Sequence, residues 1–127
     1  MDKSRSITVY RVALGISIVL NILVGIFILV SPDTFAAVLR QAQPSPETWP
    51  RHWGAQLIAI NLLYMPGFAD PVRNRYVNYL GIIIRLSFAV FFFTQGRSFA
   101  TMGIYDGTFG LGLLATYLLV PRTGAQV

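Results

Sequence analysis

Residues 7–30, ITVYRVALGISIVLNILVGIFILV, decide the class of this protein. Tyr10, Arg11, Ser17 and Asn21 are the main polar interruptions of this apolar run. It is longer than the roughly 20 residues that a helix needs to cross a bilayer. We therefore expect a membrane-spanning helix at the start of the chain.

A cleaved signal peptide is the alternative for this run, because Lys3 and Arg5 precede it. The apolar region of a signal peptide has about 7–15 residues and ends in a small-x-small cleavage site. The run at 7–30 is longer and lacks a clear site of that kind. A retained helix is therefore the favoured interpretation.

The composition of the 127 residues also favours a membrane protein, with 54% hydrophobic and only 12% charged residues. A soluble domain carries about 25% charged residues, so soluble multi-domain, disordered and disulfide-rich classes are disfavoured. The chain has no Cys, which excludes thiol redox chemistry, iron–sulfur clusters and thiolate zinc sites. A single His cannot supply a bis-His haem.

Three further apolar runs follow, at about 53–69, 76–95 and 103–120. Trp49 and Trp53 mark the start of the second run, as aromatic residues do at membrane interfaces. Between the first two runs, residues 32–41 predict a short amphipathic helix at the interface, with Pro32 at its first position. The sequence thus predicts an all-α, four-transmembrane-helix bundle that forms one domain over 1–127, with its last six residues frayed.

The distribution of basic residues predicts the orientation of this bundle. Arg40, Arg51 and Arg97 lie beside one set of span ends. Six basic residues lie beside the other set: Lys3, Arg5, Arg11, Arg73, Arg75 and Arg122. Because Lys and Arg are enriched in cytoplasmic loops, both termini and the 70–75 link are expected in the cytoplasm. The net charge of +5 comes from scattered residues, which suits lipid headgroups and not nucleic acid.

Arg85 is the most informative residue, because it lies near the middle of the third run, where a charge costs about 2.5–3.5 kcal/mol. With a helical rise of about 1.5 Å per residue, Asn21, Asn61 and Arg85 all lie roughly 12–15 Å from the outer ends of their spans. Three helices thus place polar side chains at one depth, where Ser17 and Ser87 are also possible members. Two interpretations stay open: a site for the polar head of a lipid, quinone or other amphiphile, or hydrogen bonds that hold the helices together.

Asp106 is the acidic residue best placed to pair with Arg85, although it lies only about 5 Å inside the fourth span by the same rise. His52, Gln56 and Gln95 lie at a similar outer depth and predict a second polar cluster with Asp106. The candidate ligand-binding residues are therefore Arg85, Asn21, Asn61, Asp106, Gln56 and His52.

Small residues follow one face of the fourth span: Gly103, Gly107, Thr108, Gly112 and Thr116. Such stripes allow helix backbones to approach closely in membranes. They serve either packing within the bundle, which we favour, or docking to a partner.

Catalytic patterns are not found in the sequence. There is no carboxylate pair within a span, no Gly-rich phosphate loop before a helix and no plausible Ser/His/Asp set. We therefore expect a non-catalytic protein that binds no metal and has no resident cofactor, with an enzyme that acts on a membrane-dissolved substrate as the third hypothesis. A pigment or metal ligated by His52, or a bound quinone, is an alternative, but a lone interfacial His is more often a headgroup contact.

The layout resembles the small four-helix bacterial inner-membrane proteins of the DoxX-like and BphX-like kind. The likeness rests on YRVALG at 10–15, SPDTF at 31–35, DPVRNR at 70–75, and LGI with the following RL between 80 and 86. The resemblance implies four helices, a bacterial inner-membrane location and an accessory role. It transfers no catalytic residue to this sequence.

The first functional hypothesis is an accessory or structural subunit of a larger membrane complex, in contact with lipids and other membrane subunits. The small-residue stripe and the Phe-rich third span offer surfaces for such partners. The second hypothesis is a membrane protein or transporter that binds a small amphiphile, a quinone or a lipid through a polar site around Arg85.

Overall fold

The structure, a computed structural model, describes residues 2–122, and these form helices joined by short links. In chain order the elements are α1 (Lys3–Val30), α2 (Pro32–Val38), α3 (Thr48–Leu63), α4 (Met65–Ala69), α5 (Arg75–Thr94), a 3-10 helix (Arg97–Phe99) and α6 (Ala100–Tyr117). The all-α prediction is confirmed for this part of the chain. The predicted frayed end falls on 122–127, of which 123–127 lie outside the described residues.

The second apolar run is divided just before Pro66, where the Pro66–Gly67 pair predicts a kink or an end of the helix. The apolar run at 53–69 is divided between α3 and α4, with Tyr64 between them. Pro66 has no backbone N–H, and its ring clashes with the carbonyl four residues earlier, so a regular helix cannot continue through it. The Tyr64 N–H instead bonds the Asn61 carbonyl at 3.2 Å, and the Phe68 N–H bonds the Tyr64 carbonyl at 3.1 Å.

The short helix after α1 is also shorter than the predicted 32–41, since α2 ends at Val38. Arg40 has a φ of 55°, in the left-handed region, and a helix cannot continue through that conformation. The Gln41 N–H then bonds the Ala36 carbonyl at 2.8 Å. The chain after α2 therefore turns sharply and forms a loop up to the start of α3.

The long helices pair as two antiparallel hairpins, α1 with α3 and α5 with α6. The first hairpin is in its closest contact at two glycines. A Cβ atom built on Gly54 would lie 2.7 Å from the Gly25 carbonyl oxygen. Only glycine permits the two backbones to approach this closely.

The first part of the small-residue stripe of α6, Gly103 and Gly107, lies against α5. A Cβ atom built on Gly103 would meet the Phe93 ring at 3.0 Å, and one built on Gly107 would lie 3.6 Å from the Ala89 side chain. Gly112 has open space around it, and Thr108 is exposed. Packing within the bundle therefore uses the Gly103–Gly107 pair of this stripe.

A buried apolar cluster joins α1, α5 and α6 near the 70–75 link. Its members are Tyr10, Leu14, Ile18, Ile82, Leu113, Tyr117 and Val120. The outer surfaces of all four long helices carry exposed large apolar side chains, among them Leu23, Leu63, Val90 and Leu111. Soluble monomers rarely expose apolar surface on this scale.

Two of the described helices are long and apolar enough to cross a membrane. Over the best window of 18 residues, the mean hydropathy is 2.8 in α1 and 1.7 in α5. At 16 residues, α3 alone is shorter than the roughly 20 residues of a full span. Crossings by α3–α4 and by α6 remain predictions.

Candidate functional site

Arg85 lies in the interior of the helix bundle, where only 4% of its surface is exposed. Its guanidinium donates to the Ser17 hydroxyl on α1 and lies 3.4 Å from a carboxylate oxygen of Asp106 on α6. It also lies over the Phe109 ring, 5.4 Å from the ring centre. One residue of α5 therefore contacts both neighbouring long helices, and Asp106 is the acidic partner that the sequence indicated.

A chain of hydrogen bonds beside Arg85 connects the two amides at the same depth. The Tyr105 hydroxyl donates to the Asn21 side-chain oxygen at 2.8 Å, and the Asn21 amide donates to the Asn61 side-chain oxygen at 3.1 Å. The Asn61 amide donates to the Leu57 carbonyl at 2.7 Å. Because buried amides are stable only when paired, this chain links α6, α1 and α3 in one polar layer.

A cavity of about 320 Å³ adjoins this polar layer, and we call it the polar chamber. Five of the six candidate residues line it: Arg85, Asn21, Asn61, Asp106 and Gln56. The remaining wall is mainly apolar and includes the aromatic side chains of Phe35, Trp53, Phe88 and Phe92. The chamber is therefore lined both by polar side chains and by apolar, largely aromatic ones.

His52, the sixth candidate, does not line the chamber. It is exposed on the second turn of α3. Gln95 does not line the chamber either. Its amide donates to the neighbouring Thr94 hydroxyl at 3.0 Å. Ser87 is exposed on α5. The predicted outer cluster thus does not assemble as one site: Gln56 and Asp106 line the chamber, whereas His52 and Gln95 do not.

Hydrogen-bonding capacity remains on the charged pair. A guanidinium has five N–H donors, and the described contacts engage two of its nitrogens, one with Ser17 and one with Asp106. A carboxylate accepts through two oxygens, and only one oxygen of Asp106 has a described partner. The amides of Asn21 and Asn61, in contrast, are largely occupied by each other and by their neighbours. The ion pair therefore keeps donors and an acceptor for a ligand, as do the Gln56 amide and the Tyr64 hydroxyl, which also line the chamber.

Metal ligation has no support in the described residues, where no group of three or more His, Cys, Asp or Glu side chains comes together. The chemistry available to the chamber is hydrogen bonding and charge, with contact to aromatic side chains.

Sequence reasoning missed Tyr105 as a member of the site. The sequence does indicate this residue, because a Tyr inside an apolar span requires a hydrogen-bond partner for its hydroxyl group. A second polar cluster, near the 70–75 link, was also missed. There the Tyr10 hydroxyl donates to Asn78 at 2.8 Å, and the Tyr117 hydroxyl donates to the Pro71 carbonyl at 2.9 Å. Its groups satisfy one another, so it joins helix ends and adjoins no polar chamber.

Comparison with known proteins assigns no function to this site. No protein-family model matches the chain, and no match was found among curated proteins or solved structures.

Proposed function

We propose that this protein is a four-span membrane protein that binds a small amphiphile in the polar chamber. The observation that carries the proposal is a cavity of about 320 Å³ placed against the buried pair of Arg85 and Asp106. A buried ion pair is weak evidence for stability, because desolvation of the charges offsets their attraction. An ionisable residue inside a membrane, in contrast, is by default a hypothesis of a functional site.

The four-span arrangement is supported by the exposed surface of the helices. The outer faces of α3 and α6 carry Leu62, Leu63, Ile104 and Leu111, each more than half exposed. Without surrounding lipid these side chains would contact water. In this arrangement the Lys and Arg excess places the termini and the 70–75 link in the cytoplasm, and the resemblance to DoxX-like proteins favours a bacterial inner membrane.

The two interpretations of the polar layer apply to different residues. Asn21 and Asn61 bond each other and nearby groups, as expected of amides that hold helices together. Arg85 and Asp106 keep donors and an acceptor beside the cavity. We therefore assign helix association to the amides and ligand binding to the ion pair.

A variant that fills the chamber tests this proposal. Thr101 is exposed and lines the chamber, so Thr101→Phe should occupy part of it. Ile104, on the same helix, is exposed and does not line it, so Ile104→Phe is the matched control. Mass spectrometry of protein purified in mild detergent should find an amphiphile in fixed ratio with the wild type and with Ile104→Phe. The ratio should fall at least fivefold in Thr101→Phe.

Two results would contradict the proposed binding. Absence of any bound amphiphile from the wild type, or equal retention by both variants, would contradict binding in the chamber. Accumulation of both variants to wild-type levels shows that folding is intact, which separates loss of binding from loss of the protein.

The accessory-subunit hypothesis is the second candidate. It is favoured by the outer face of α5, where Val90, Phe91 and Phe93 are each more than half exposed. Purification from native membranes should then recover other subunits in fixed ratio, and substitution of Val90, which lines neither cavity, by Ala should release them. Recovery of free monomer alone would count against this hypothesis and leave the binding proposal intact.

A further inference from the structure

A second cavity of about 580 Å³ lies beneath α2 and the loop that follows it. We call it the aromatic cavity, because its lining includes Trp49, Trp53, Phe91, Phe92 and Phe99. No charged residue is among the described side chains that line it. It is therefore suited to the apolar body of a ligand.

The aromatic cavity and the polar chamber share a wall. The residues that line both are Phe35, Leu39, Trp53, Phe88 and Phe92. Phe35 and Trp53 are in edge-to-face contact, with ring centres 5.5 Å apart. The two spaces are therefore adjacent, and a molecule with its polar head in the chamber and its apolar body in the cavity requires these shared side chains to move aside.

Charge limits what the head can be. Among the described residues that line the chamber, Arg85 and Asp106 carry opposite formal charges 3.4 Å apart. An anionic head beside Arg85 would also face the Asp106 carboxylate, and a cationic head would face the guanidinium. An uncharged head meets neither repulsion.

Hydrogen bonding limits the head further. The free N–H groups of Arg85 require an acceptor, and the second carboxylate oxygen of Asp106 accepts a donor. A hydroxyl group supplies both, whereas a bare carbonyl or ether supplies only the acceptor. We infer that the chamber takes an uncharged amphiphile with a hydroxylated head, whose apolar body occupies the aromatic cavity. This inference rests on the proposed function, since it specifies the ligand of the same site.

The chain contains a natural reporter for this inference. Its two Trp residues, Trp49 and Trp53, both line the aromatic cavity. Binding in the cavity should therefore change the Trp fluorescence of the whole protein, purified in mild detergent. Four probes with ten-carbon chains and different polar heads test which head the chamber binds: a decyl hydroquinone, its dimethyl ether, monodecanoyl glycerol and decanoate.

At pH 8, at least one of the two hydroxylated probes should bind ten times more tightly than decanoate. The dimethyl ether, which has no donor for Asp106, should bind at least fivefold more weakly than the hydroquinone if the head is phenolic. Tighter binding of the hydroquinone than of the glycerol ester indicates a phenolic source, and the reverse order indicates a glyceride. Tightest binding by decanoate would overturn the inference of an uncharged head.

Asp106→Asn should reverse the preference. The chamber would then hold an unopposed Arg85, so decanoate should gain at least fivefold in affinity while the hydroxylated probes weaken. Asp70→Asn is the control, because Asp70 lies in the 70–75 link, where it accepts from backbone N–H groups. An unchanged order of probes in Asp106→Asn would contradict the inferred role of the ion pair.

The two experiments distinguish a failure of this inference from a failure of the proposed function. If no hydroxylated probe binds while an amphiphile still purifies with the wild type and not with Thr101→Phe, the head chemistry is wrong and the binding function stands. If no amphiphile purifies with the wild type and no probe changes the fluorescence, both are wrong.

Discussion

Gly25 and Gly54 place the backbones of α1 and α3 in direct contact, one helical turn from the Asn21 side chain. This contact sets the distance between the two helices on which the hydrogen bond from Asn21 to Asn61 depends. The polar layer therefore relies on a backbone contact that no larger residue permits.

Gly54→Ala should destabilise the bundle, because its Cβ would lie 2.7 Å from the Gly25 carbonyl oxygen and 3.1 Å from Ile28. Overpacking of this kind costs about 1–3 kcal/mol. Gly112→Ala is the control, since Gly112 has open space around it and alanine favours helix. Thermal unfolding in detergent should show a lower midpoint for Gly54→Ala only. Equal midpoints would contradict the close contact.

The amide pair can be measured by a double-mutant cycle with Asn21→Ala and Asn61→Ala. Interhelical hydrogen bonds in membranes contribute about 0.6 kcal/mol on average and up to about 1.7 kcal/mol. We expect a coupling free energy of unfolding in this range, because the two amides bond at 3.1 Å. Additive effects of the two substitutions would show that the amides do not stabilise the bundle together.

Arg85 should be required for binding more than for folding. The double variant Arg85→Leu with Asp106→Asn removes both charges, so no uncompensated ion remains in the interior. We expect this variant to accumulate in membranes at wild-type levels and to lose the bound amphiphile. If the variant fails to accumulate, the pair is mainly structural.

The loop over the aromatic cavity is held by one side-chain contact that should control ligand exchange. The Gln41 amide donates to the Ser98 hydroxyl at 2.6 Å, which ties the loop to the link between α5 and α6. Gln41→Ala should raise the rate of probe release at least threefold, followed by Trp fluorescence in stopped flow. Gln95→Ala, which removes only a contact with Thr94, should leave the release rate unchanged. Equal release rates would show that the loop is not the exit.

The four-span arrangement can be tested directly because the chain contains no Cys. Single substitutions Ser4→Cys and Arg73→Cys should be protected from an impermeant thiol reagent added to intact cells. Gln43→Cys, in the loop after α2, should be labelled. Labelling of Arg73→Cys from outside would overturn the predicted orientation.

Helix content was predictable from the sequence because long apolar runs leave the backbone no other hydrogen-bonding partner in a membrane. The ends of α5 and α6 differ from the predicted 76–95 and 103–120 by three residues or fewer. The division of the second run was predicted at Pro66–Gly67 and lies at Tyr64, whereas the early end of α2 was not predicted. They depend on the conformation of single residues, Pro66 and Arg40.

The site was partly predictable for a similar reason. Depth along a helix follows from residue number, and this brought Asn21, Asn61 and Arg85 to one level. Depth does not give the direction of a side chain around the helix axis. His52 and Ser87 were therefore included although they face outward, and Tyr105 was left out although it donates to Asn21.

The partners of Arg85 have a consequence for how the protein is made. Ser17 on α1 precedes Arg85 in synthesis, whereas Asp106 on α6 follows it. In the four-span arrangement, the newly inserted third span would hold a guanidinium that has a hydroxyl neighbour but lacks its counter-ion until the last span arrives. Truncation before α6 should therefore leave an unstable insertion intermediate that the quality-control proteases of the cell remove.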